Sequence, residues 1–427
     1  MAYLQYTGSD SDFEETVRKK ITDKKVPKGI QPRYRYNIGG KSDLGMLQST
    51  DNLIVRGDNL HVMPVLESRY SEEIDFIYTD PPYNTGTDQF KYKDDFSQDS
   101  YLEFMEGRLQ KMKKLLSDDG VISVHLSQHQ YPYVKILMDQ IFESYLSTFH
   151  IQVRHTERTL GAKKDYHDVI EYILMYSKTN IDFPKKKCKM SMDEYKYKIE
   201  EIAEPEKVMI NGQEIEVFTP NKYKKKKTIP TKKNLKRISI RGTLKKNNSS
   251  GRYYVENLEQ LEEDYPPRTI FKIPNKGNDS MEGRYFYTPP EGNKNGGYYQ
   301  GVPKGKTHTK KPYPNYYDFV EEFTSMSSEG GTNFRNGKKP EELIKMLLEI
   351  FTDEGDLVLD PFLGSGSTAA VSHKMNRQYI GIEKQKYGDN DPTQRIKNVI
   401  NGDSTGVSNE VNWSEGGSFV YLERTNI

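Results

Sequence analysis

The sequence predicts an α/β protein in which a parallel sheet is interrupted by a long inserted region. Short, nearly continuous apolar segments alternate with helical patterns from residue 52 onward, which is typical of parallel strands covered by helices on both faces. The composition changes near residue 178, where Lys, Tyr, Asn, Gly and Pro become abundant. Strand and helix patterns return after residue 312. We therefore expect one sheet built from two separate stretches of chain.

Each element is predicted from the spacing of its apolar residues and from the residues at its ends. Before the insertion, the pattern predicts strands at 52–58, 74–79, 121–125, 147–154 and 169–177 and helices at 59–69 and 100–116. After the insertion, it predicts helices at 340–351 and 367–375 and strands at 356–359 and 378–382. The expected domains are an N-terminal extension at 1–50, the first half of the sheet at 51–178, the insertion at 179–312 and the second half at 313–427.

Composition excludes several classes of protein. The chain has 427 residues, enough for two or three domains with a buried core. Its longest apolar stretches, such as 171–176, are far shorter than the roughly 20 residues of a membrane span, and residues 1–15 lack the pattern of a secretory signal. Cys188 is the single cysteine, which excludes an intrachain disulfide. We expect a cytoplasmic protein without a metal.

The net charge of +1 conceals a strong segregation of charge. Residues 221–252 hold 13 Lys and Arg side chains and no Asp or Glu. Such a run repels itself unless it is solvated or neutralised by phosphates, so it is either a solvated loop or a nucleic-acid contact. The candidate DNA-binding residues are Lys224, Lys225, Lys226, Lys227, Lys232, Lys233, Arg237 and Arg241.

A first candidate motif follows the predicted strand at 74–79. Asp80, Pro81, Pro82 and Tyr83 would lie at the carboxyl end of that strand, where open α/β sheets bind ligands. Because proline cannot donate a hydrogen bond, carbonyl oxygens there are free to accept one from an amino group beside the carboxylate. Tyr83 adds a flat face on which a base could stack. The alternative interpretation is a proline-rich turn.

A second motif follows the predicted strand at 356–359. Asp360 begins the segment Asp-Pro-Phe-Leu-Gly-Ser-Gly, in which Gly364 and Gly366 allow a close approach to a ligand at a helix N-terminus. Glu383 ends the next strand, where an acidic residue typically binds ribose hydroxyls. Alone, the glycine pair is equally consistent with an ordinary turn. Together, these residues predict a site for a nucleoside-type cofactor.

Taken in order, the motifs resemble those of DNA amino-methyltransferases that use S-adenosylmethionine, in the class in which the catalytic motif precedes the cofactor motif. Within that class, the chain resembles the modification subunits of type III restriction systems. The matching stretches are 52–93, 101–108, 339–383, 402–406 and 416–421. They include Asp80-Pro-Pro-Tyr83 and Asp360-Pro-Phe-Leu-Gly-Ser-Gly366, and Ser367 replaces the commoner Thr after the second glycine.

The resemblance implies a circularly permuted, Rossmann-like methyltransferase sheet of seven strands, with Asp80 and Asp360 ending neighbouring strands. It implies transfer of a methyl group to the N6 atom of adenine in double-stranded DNA. Asp80 and Pro81 would accept the hydrogens of the target amino group, and Tyr83 would stack on the extruded base. An aspartate at position 80 favours adenine within this family, and N4-cytosine remains the alternative target.

The resemblance also assigns the cofactor and the partners. S-adenosylmethionine would be bound by Asp58, Asp80, Lys339, Asp360, Phe362, Gly364, Ser365, Gly366, Thr368 and Glu383. The basic insertion would be the target-recognition region, with its cations on phosphates. We expect a homodimer of prokaryotic or phage origin, with any ATP-dependent restriction subunit as a separate chain. A non-catalytic recognition subunit and a methyltransferase of RNA or protein glutamine are the rival classes, and the large basic insertion favours DNA.

Overall fold

Two short apolar segments from distant parts of the sequence lie side by side at the centre of the larger unit. Ile74–Thr79 and Leu357–Asp360 are parallel neighbours, and every residue of the second strand is buried. Both strands are apolar on both faces because helices cover the sheet from either side. The two halves of the sequence therefore form one sheet, as the sequence predicts.

The computed structural model describes residues 30–38, 40–42, 47–84, 95–157, 167–281, 283–334 and 337–424. Residues 85–94, which belong to one of the matching stretches, lie outside the described residues. The chain divides into a larger unit, formed by Met1–Pro184 and Tyr313–Ile427, and a smaller unit formed by Lys185–Pro312. The smaller unit corresponds to the inserted region.

The elements are numbered along the chain. The strands are β1 (Ile30–Asn37), β2 (Gly40–Ser42), β3 (Leu53–Arg56), β4 (Ile74–Thr79), β5 (Leu116–Leu126), β6 (Ser144–Gln152), β7 (Ile170–Ser177), β8 (Lys186–Lys189), β9 (Tyr195–Glu201), β10 (Glu206–Ile210), β11 (Gln213–Phe218), β12 (Tyr223–Lys227), β13 (Leu235–Ser239), β14 (Ile270–Pro274), β15 (Gly283–Tyr287), β16 (Gly297–Gln300), β17 (His308–Lys311), β18 (Tyr316–Asp318), β19 (Leu357–Asp360), β20 (Gln378–Glu383) and β21 (Phe419–Arg424). The α-helices are α1 (Asn59–Tyr70), α2 (Gln98–Leu115), α3 (Tyr131–Ile141), α4 (Leu244–Asn247), α5 (Ser249–Asn257), α6 (Val320–Ser325), α7 (Glu341–Phe351), α8 (Ser367–Lys374) and α9 (Pro392–Ile400).

The sheet of the larger unit has the strand order β18-β6-β7-β5-β4-β19-β20-β3-β21-β1-β2. β7 is antiparallel to β5 and β6, and β1 is antiparallel to β21 and β2. All other neighbours are parallel. The contiguous strands from β6 to β3 form the seven-stranded sheet that the resemblance implies, and the remaining four extend its edges. The predicted α/β class is confirmed.

Part of the predicted N-terminal extension belongs to this sheet, so the ordered core begins before residue 52. β1 pairs with β21, and the ring of Tyr34 stacks on Tyr421 with centroids 5.2 Å apart. Tyr36 stacks on Phe419 at 5.9 Å. No apolar pattern marks this strand in the sequence, because the strand lies near the sheet edge and alternates tyrosines with arginines instead of aliphatic residues.

Helices cover both faces of the sheet. α1, α2 and α3 pack their apolar residues on one face, and α7, α8 and α9 pack theirs on the other. Side chains of successive strand residues point to opposite faces, so Leu357 and Leu359 join the first layer while Val358 joins the second. In the part of the chain that the structure describes, no helix has the length and apolar character needed to cross a membrane.

The smaller unit contains an antiparallel sheet of eight described strands, in the order β10-β11-β14-β15-β16-β13-β9-β12. Helix α5 packs Tyr254 against Phe271 and Phe286 on one face of this sheet. A separate two-stranded sheet pairs β8 with β17. The basic run is not a loop throughout, because Lys224 to Lys227 lie in the edge strand β12.

A fully buried ion cluster connects the helices of the second sheet half. The Glu341 carboxylate lies 2.8 Å from Lys374 Nζ and 2.7 Å from Arg395 Nη2. We expect Glu341→Ala to lower the free energy of unfolding by about 3–5 kcal/mol, because both cations lose a partner in a dry environment.

Urea unfolding followed by circular dichroism measures this loss. The control is Glu349→Ala on the exposed side of the same helix, for which we expect a change below about 1 kcal/mol. Equal effects of the two substitutions would contradict a stabilising role for the cluster.

Candidate active site

The site lies where two parallel strands end side by side. Asp80 follows β4, and Asp360 is the last residue of β19. β5 is the next strand on one side and β20 the next on the other, so the connections diverge and leave a crevice, as at a topological switch point. A cavity of about 360 Å³ occupies this crevice, a volume within the usual range for small-molecule sites.

The turn after β19 forms one wall of the cavity. Phe362 N donates a 3.0 Å hydrogen bond to Asp360 Oδ1. Gly364 and Gly366 have φ values of +51° and +82°, a left-handed conformation that favours glycine. A Cβ at Gly366 would also lie 3.0 Å from Pro392 Cβ. The second glycine is therefore required by the turn itself.

Glu383 links this turn to the end of β20. Its two carboxylate oxygens accept hydrogen bonds from Gly364 N at 2.8 Å and from Gln385 N at 2.6 Å. Burial raises the pKa of Glu383, although these two backbone bonds oppose the increase. The carboxyl group thus has a fixed orientation at the cavity wall.

Asp360 is an acid of the cavity wall whose pKa lies close to neutrality. Burial raises its pKa to about 7, with nearby Asp80 and Glu383 adding to the increase and the hydroxyl of Thr368 opposing it. The carboxyl group therefore exchanges a proton near neutrality, and a cationic ligand would favour its ionised form.

Aromatic and charged side chains from α1 and α2 line the opposite wall. Asp58 caps α1 by accepting from Leu60 N, and it lies 3.1 Å from Arg108 Nη2 and 3.0 Å from Lys384 Nζ. The Arg108 guanidinium lies 3.6 Å above the ring of Phe104. Sequence reasoning assigned no role to these two residues, although both belong to the matching stretch 101–108.

The acid of the first motif faces the cavity with one oxygen paired and one unpaired. Asp80 Oδ2 lies 2.8 Å from Lys339 Nζ. Asp80 Oδ1 is buried and has no hydrogen-bond partner among the residues that the structure describes. Leaving a buried acceptor without a hydrogen bond costs about 1–3 kcal/mol, so this oxygen is suited to accept a hydrogen bond from a ligand. The carbonyl of Pro82 already accepts from Tyr101 Oη at 2.8 Å.

A second set of polar side chains lies behind this motif. Tyr83 Oη donates to Glu171 Oε2 at 3.0 Å, and His125 Nε2 lies 2.9 Å from the same oxygen. His125 Nδ1 lies 2.9 Å from Tyr78 Oη. Sequence reasoning missed Glu171. The sequence signal that could have indicated Glu171 is a glutamate near the start of an apolar strand.

The structure brings most of the predicted cofactor residues together. The predicted residues that line the cavity are Asp58, Asp80, Lys339, Asp360, Phe362, Gly364, Ser365, Thr368 and Glu383, with Pro82 of the catalytic set. Gly366, Pro81 and Tyr83 are not part of the lining. Further lining residues that the sequence did not indicate are Tyr78, Phe96, Phe104, Arg108, Phe334 and Tyr387.

The predicted DNA-binding residues lie in the smaller unit, and those in β12 lie on two opposite faces of its sheet. In β12, Lys225 pairs with Ile199 and Lys227 with Tyr197, so these two lysines share one face of the sheet, and Lys224 and Lys226 share the other. Lys226 Nζ lies 2.7 Å from Glu200. Lys232 and Lys233 lie between β12 and β13, and Arg241 follows β13.

Arg237 of β13 is exposed and contacts the aromatic side of the sheet. Its Nε donates to Tyr287 Oη at 2.9 Å. Burial lowers the pKa of Lys225, and Arg237, Arg268 and Lys227 lower it further. Each of these three cations is therefore close enough to Lys225 to repel it. By contrast, Lys224 and Lys226 both lower the pKa of Glu200 on the other face, the Lys226 hydrogen bond most strongly.

Residues 74–388 match a family model described as DNA methylase, and the chain belongs to this family. The probable type III restriction-modification enzyme HindVI Mod subunit of Haemophilus influenzae is 32% identical over 91% of this chain and 57% of its own length. The type III restriction-modification enzyme EcoPI Mod subunit of Escherichia phage P1 is 26% identical over 79% of this chain and 58% of its own.

Among solved structures, the PvuII DNA methyltransferase (cytosine-N4-specific) aligns with a TM-score of 0.42 and 14% identity, covering 85% of this chain and 91% of that chain. The chain spans little more than half the length of the curated relatives described above.

The raised pKa of Asp360 predicts that ligand affinity depends on pH. Below about pH 7 the group is neutral, and above it the carboxylate attracts cations. The affinity for S-adenosylmethionine, which has a permanent sulfonium charge, should therefore rise from about pH 5.5 to about pH 7.5. Calorimetric titration across this range measures the change.

Asp360→Asn is the matched control, because it preserves the shape of the side chain without its charge. We expect this variant to bind more weakly, with an affinity that is flat over the same pH range. A wild-type affinity that stays constant with pH would contradict a contact between Asp360 and the cationic part of the ligand.

Proposed function

We propose that this protein transfers a methyl group from S-adenosylmethionine to the N6 atom of adenine in double-stranded DNA. The main support is the placement of Asp80 and Asp360 on neighbouring strand ends around one cavity, with Asp80 Oδ1 left as a buried acceptor. Membership of the DNA methylase family agrees with this chemistry. The names of its relatives favour a role as the modification subunit of a restriction-modification system.

The cavity residues fit the proposed cofactor. When bound, S-adenosylmethionine supplies a methyl group activated by a sulfonium. Asp360 and Glu383 offer buried carboxyl groups for its cationic and hydroxyl groups, and both acids have pKa values raised by burial. The rings of Phe104 and Phe362, with centroids 6.0 Å apart, offer flat surfaces for an adenine ring.

Asp80 is the proposed catalytic residue. The lone pair of an aromatic amino nitrogen is conjugated with the ring, so the nitrogen is a weak nucleophile. A carboxylate that accepts one of its hydrogens favours a pyramidal nitrogen and stabilises the positive charge that develops there. Asp80 Oδ1 is free for this hydrogen bond, while Oδ2 is held by Lys339. Pro81 supplies the second acceptor that the family resemblance implies.

Tyr83 is the proposed stacking partner of the extruded base. Its ring is partly exposed, and its hydroxyl is anchored to Glu171. An enzyme that acts on a base inside a duplex must extrude it and hold it between flat or apolar side chains. The ring is therefore available for stacking, and the contact between its hydroxyl group and Glu171 fixes its orientation.

We further propose that the smaller unit contacts DNA phosphates through one face of its sheet. Lys225, Lys227, Arg237 and Arg268 lie close together. Two carboxylates of the sheet, Glu201 and Glu216, both lie within 3.0 Å of Lys272, so they already have a cationic partner. A concentration of cations of this kind favours a polyanion. Lys224 and Lys226 instead lie on the face of Glu200, whose carboxylate forms an ion pair with Lys226.

The proposed assembly is a homodimer in the cytoplasm of a bacterium, with a separate ATP-dependent restriction subunit as a second partner. The type III Mod names of the relatives support the restriction partner. The expectation of a dimer rests on the family resemblance. Sedimentation velocity of the purified protein decides between monomer and dimer.

Asp80→Ala should lower the rate of methyl transfer by at least about 100-fold, because the acceptor for the target amine is lost. Cofactor affinity should change little. Transfer from radiolabelled cofactor to unmethylated phage DNA measures the rate, and calorimetry measures the affinity. Near-normal turnover would remove Asp80 from the mechanism.

Mass spectrometry of nucleosides from the methylated DNA identifies the product. N6-methyl-2′-deoxyadenosine supports the proposal, whereas N4-methyl-2′-deoxycytidine would show that cytosine is the target. Label incorporated only into RNA or protein would overturn the assignment to DNA.

The two faces of β12 predict different effects for neighbouring lysines. Replacing Lys225 and Lys227 by glutamine should weaken binding to a DNA duplex and lower the salt slope by about 0.9 per lost phosphate contact. Replacing Lys224 and Lys226 removes the same charge from the other face and should change the slope little. Fluorescence anisotropy at graded salt concentrations measures both. Equal effects of the two pairs would contradict binding through one face.

A further inference from the structure

A buried chain of polar side chains connects the catalytic motif to the interior of the larger unit. Lys339 Nζ lies 2.8 Å from Asp80 and 3.7 Å from Glu171 Oε2. Glu171 in turn contacts Tyr83 Oη and His125 Nε2. The side chain of His125 is fully buried, and those of Lys339 and Glu171 are no more than 10% exposed. Glu171 is the member with the most partners.

Packing alone does not explain a glutamate at this position. The following residues of β7 include Ile173 and Met175, which are buried in the apolar layer on this side of the sheet. Burying a carboxylate among them is costly unless cations and donors compensate it. Burial acts to raise the pKa of Glu171, and Lys339 and His125 outweigh it, so the pKa is lowered and the group is ionised.

We propose that Glu171 is a positioning residue for methyl transfer, which holds the Tyr83 ring and the Lys339 ammonium in place while His125 fixes Glu171 itself. This inference rests on the proposed function. Glu171 does not line the cavity, so it acts through residues that face the substrate and the cofactor.

The geometry indicates how this positioning works. The hydroxyl contact with Glu171 restricts rotation of the Tyr83 ring. Lys339 Nζ lies 4.9 Å from the centre of the same ring, and it is attracted by Asp80 on one side and Glu171 on the other. Without the Glu171 charge, Lys339 is attracted to Asp80 alone. The Asp80 carboxylate is then neutralised more strongly and becomes a weaker acceptor for the target amine.

Three substitutions separate these effects. Glu171→Gln keeps an acceptor for Tyr83 and removes the charge, Glu171→Ala removes both, and Tyr83→Phe removes only the hydroxyl. The matched control is Tyr176→Phe on the same strand, because Tyr176 Oη donates to Asp139 at 2.6 Å and neither residue lines the cavity.

We expect Glu171→Gln and Glu171→Ala to lower the single-turnover methylation rate at saturating S-adenosylmethionine by about 10- to 100-fold, because misplacing the Tyr83 ring and Lys339 disturbs the reacting geometry. Tyr176→Phe should leave the rate unchanged. The double variant of Glu171→Ala with Tyr83→Phe should lose less than the product of the two single effects, since the two residues act together.

Crystal structures of the variants test the positioning without reference to activity. In Glu171→Ala we expect the Tyr83 ring and Lys339 Nζ to move from their wild-type positions. Unchanged positions, or rates equal to wild type, would overturn the proposal. A wild-type protein that methylates no DNA would contradict the proposed function instead, and the crystal structures would still decide whether Glu171 positions these side chains.

Discussion

The parallel contact between β4 and β19 is the constraint on which the site depends. Asp80 and Asp360 are 280 positions apart in the sequence, and they become neighbours only because Phe76 pairs with Val358 and Ile77 with Leu359. Neither half of the sheet forms the cavity alone, since its lining comes from both. The apolar residues of these two strands therefore place the catalytic groups as much as they stabilise the core.

Burial gives the acids around the cavity different properties according to their partners. Asp80 is paired with an ammonium group, Glu383 with two backbone amides, and Asp360 with one amide and a hydroxyl. At Asp360 and Glu383 burial outweighs these hydrogen bonds, so both carboxyl groups keep a raised pKa. Of these carboxyl groups at one sheet edge, Asp80 thus suits the amino group of a base, Glu383 a hydroxyl ligand and Asp360 a cationic ligand.

Local sequence patterns predicted the strands of the central sheet and most of the cofactor side of the site, because continuous apolar strands, glycine turns and strand-end acids are defined by neighbouring residues. The sequence did not predict the eight-stranded sheet of the smaller unit, whose strands mix lysine and tyrosine without clear alternation of apolar residues. Glu171 and Arg108 were missed because their partners are distant in sequence. Likewise, the basic run could be divided into two faces only once β12 was known to be a strand.

The pairing of β8 with β17 has a consequence for how the chain folds. Lys186 is opposite Lys311 in this small sheet, so the first and last strands of the insertion lie side by side. Bringing β4 and β19 together in an unfolded chain closes a loop of about two thirds of the chain, with an entropy cost that increases with the logarithm of loop length. Once β8 and β17 have paired, the insertion is already a closed loop, and the length of chain that remains to be closed is far shorter. The small β8-β17 sheet thereby roughly halves the loop that remains to be closed, which lowers the entropy cost of assembling the catalytic crevice by about 0.6 kcal/mol.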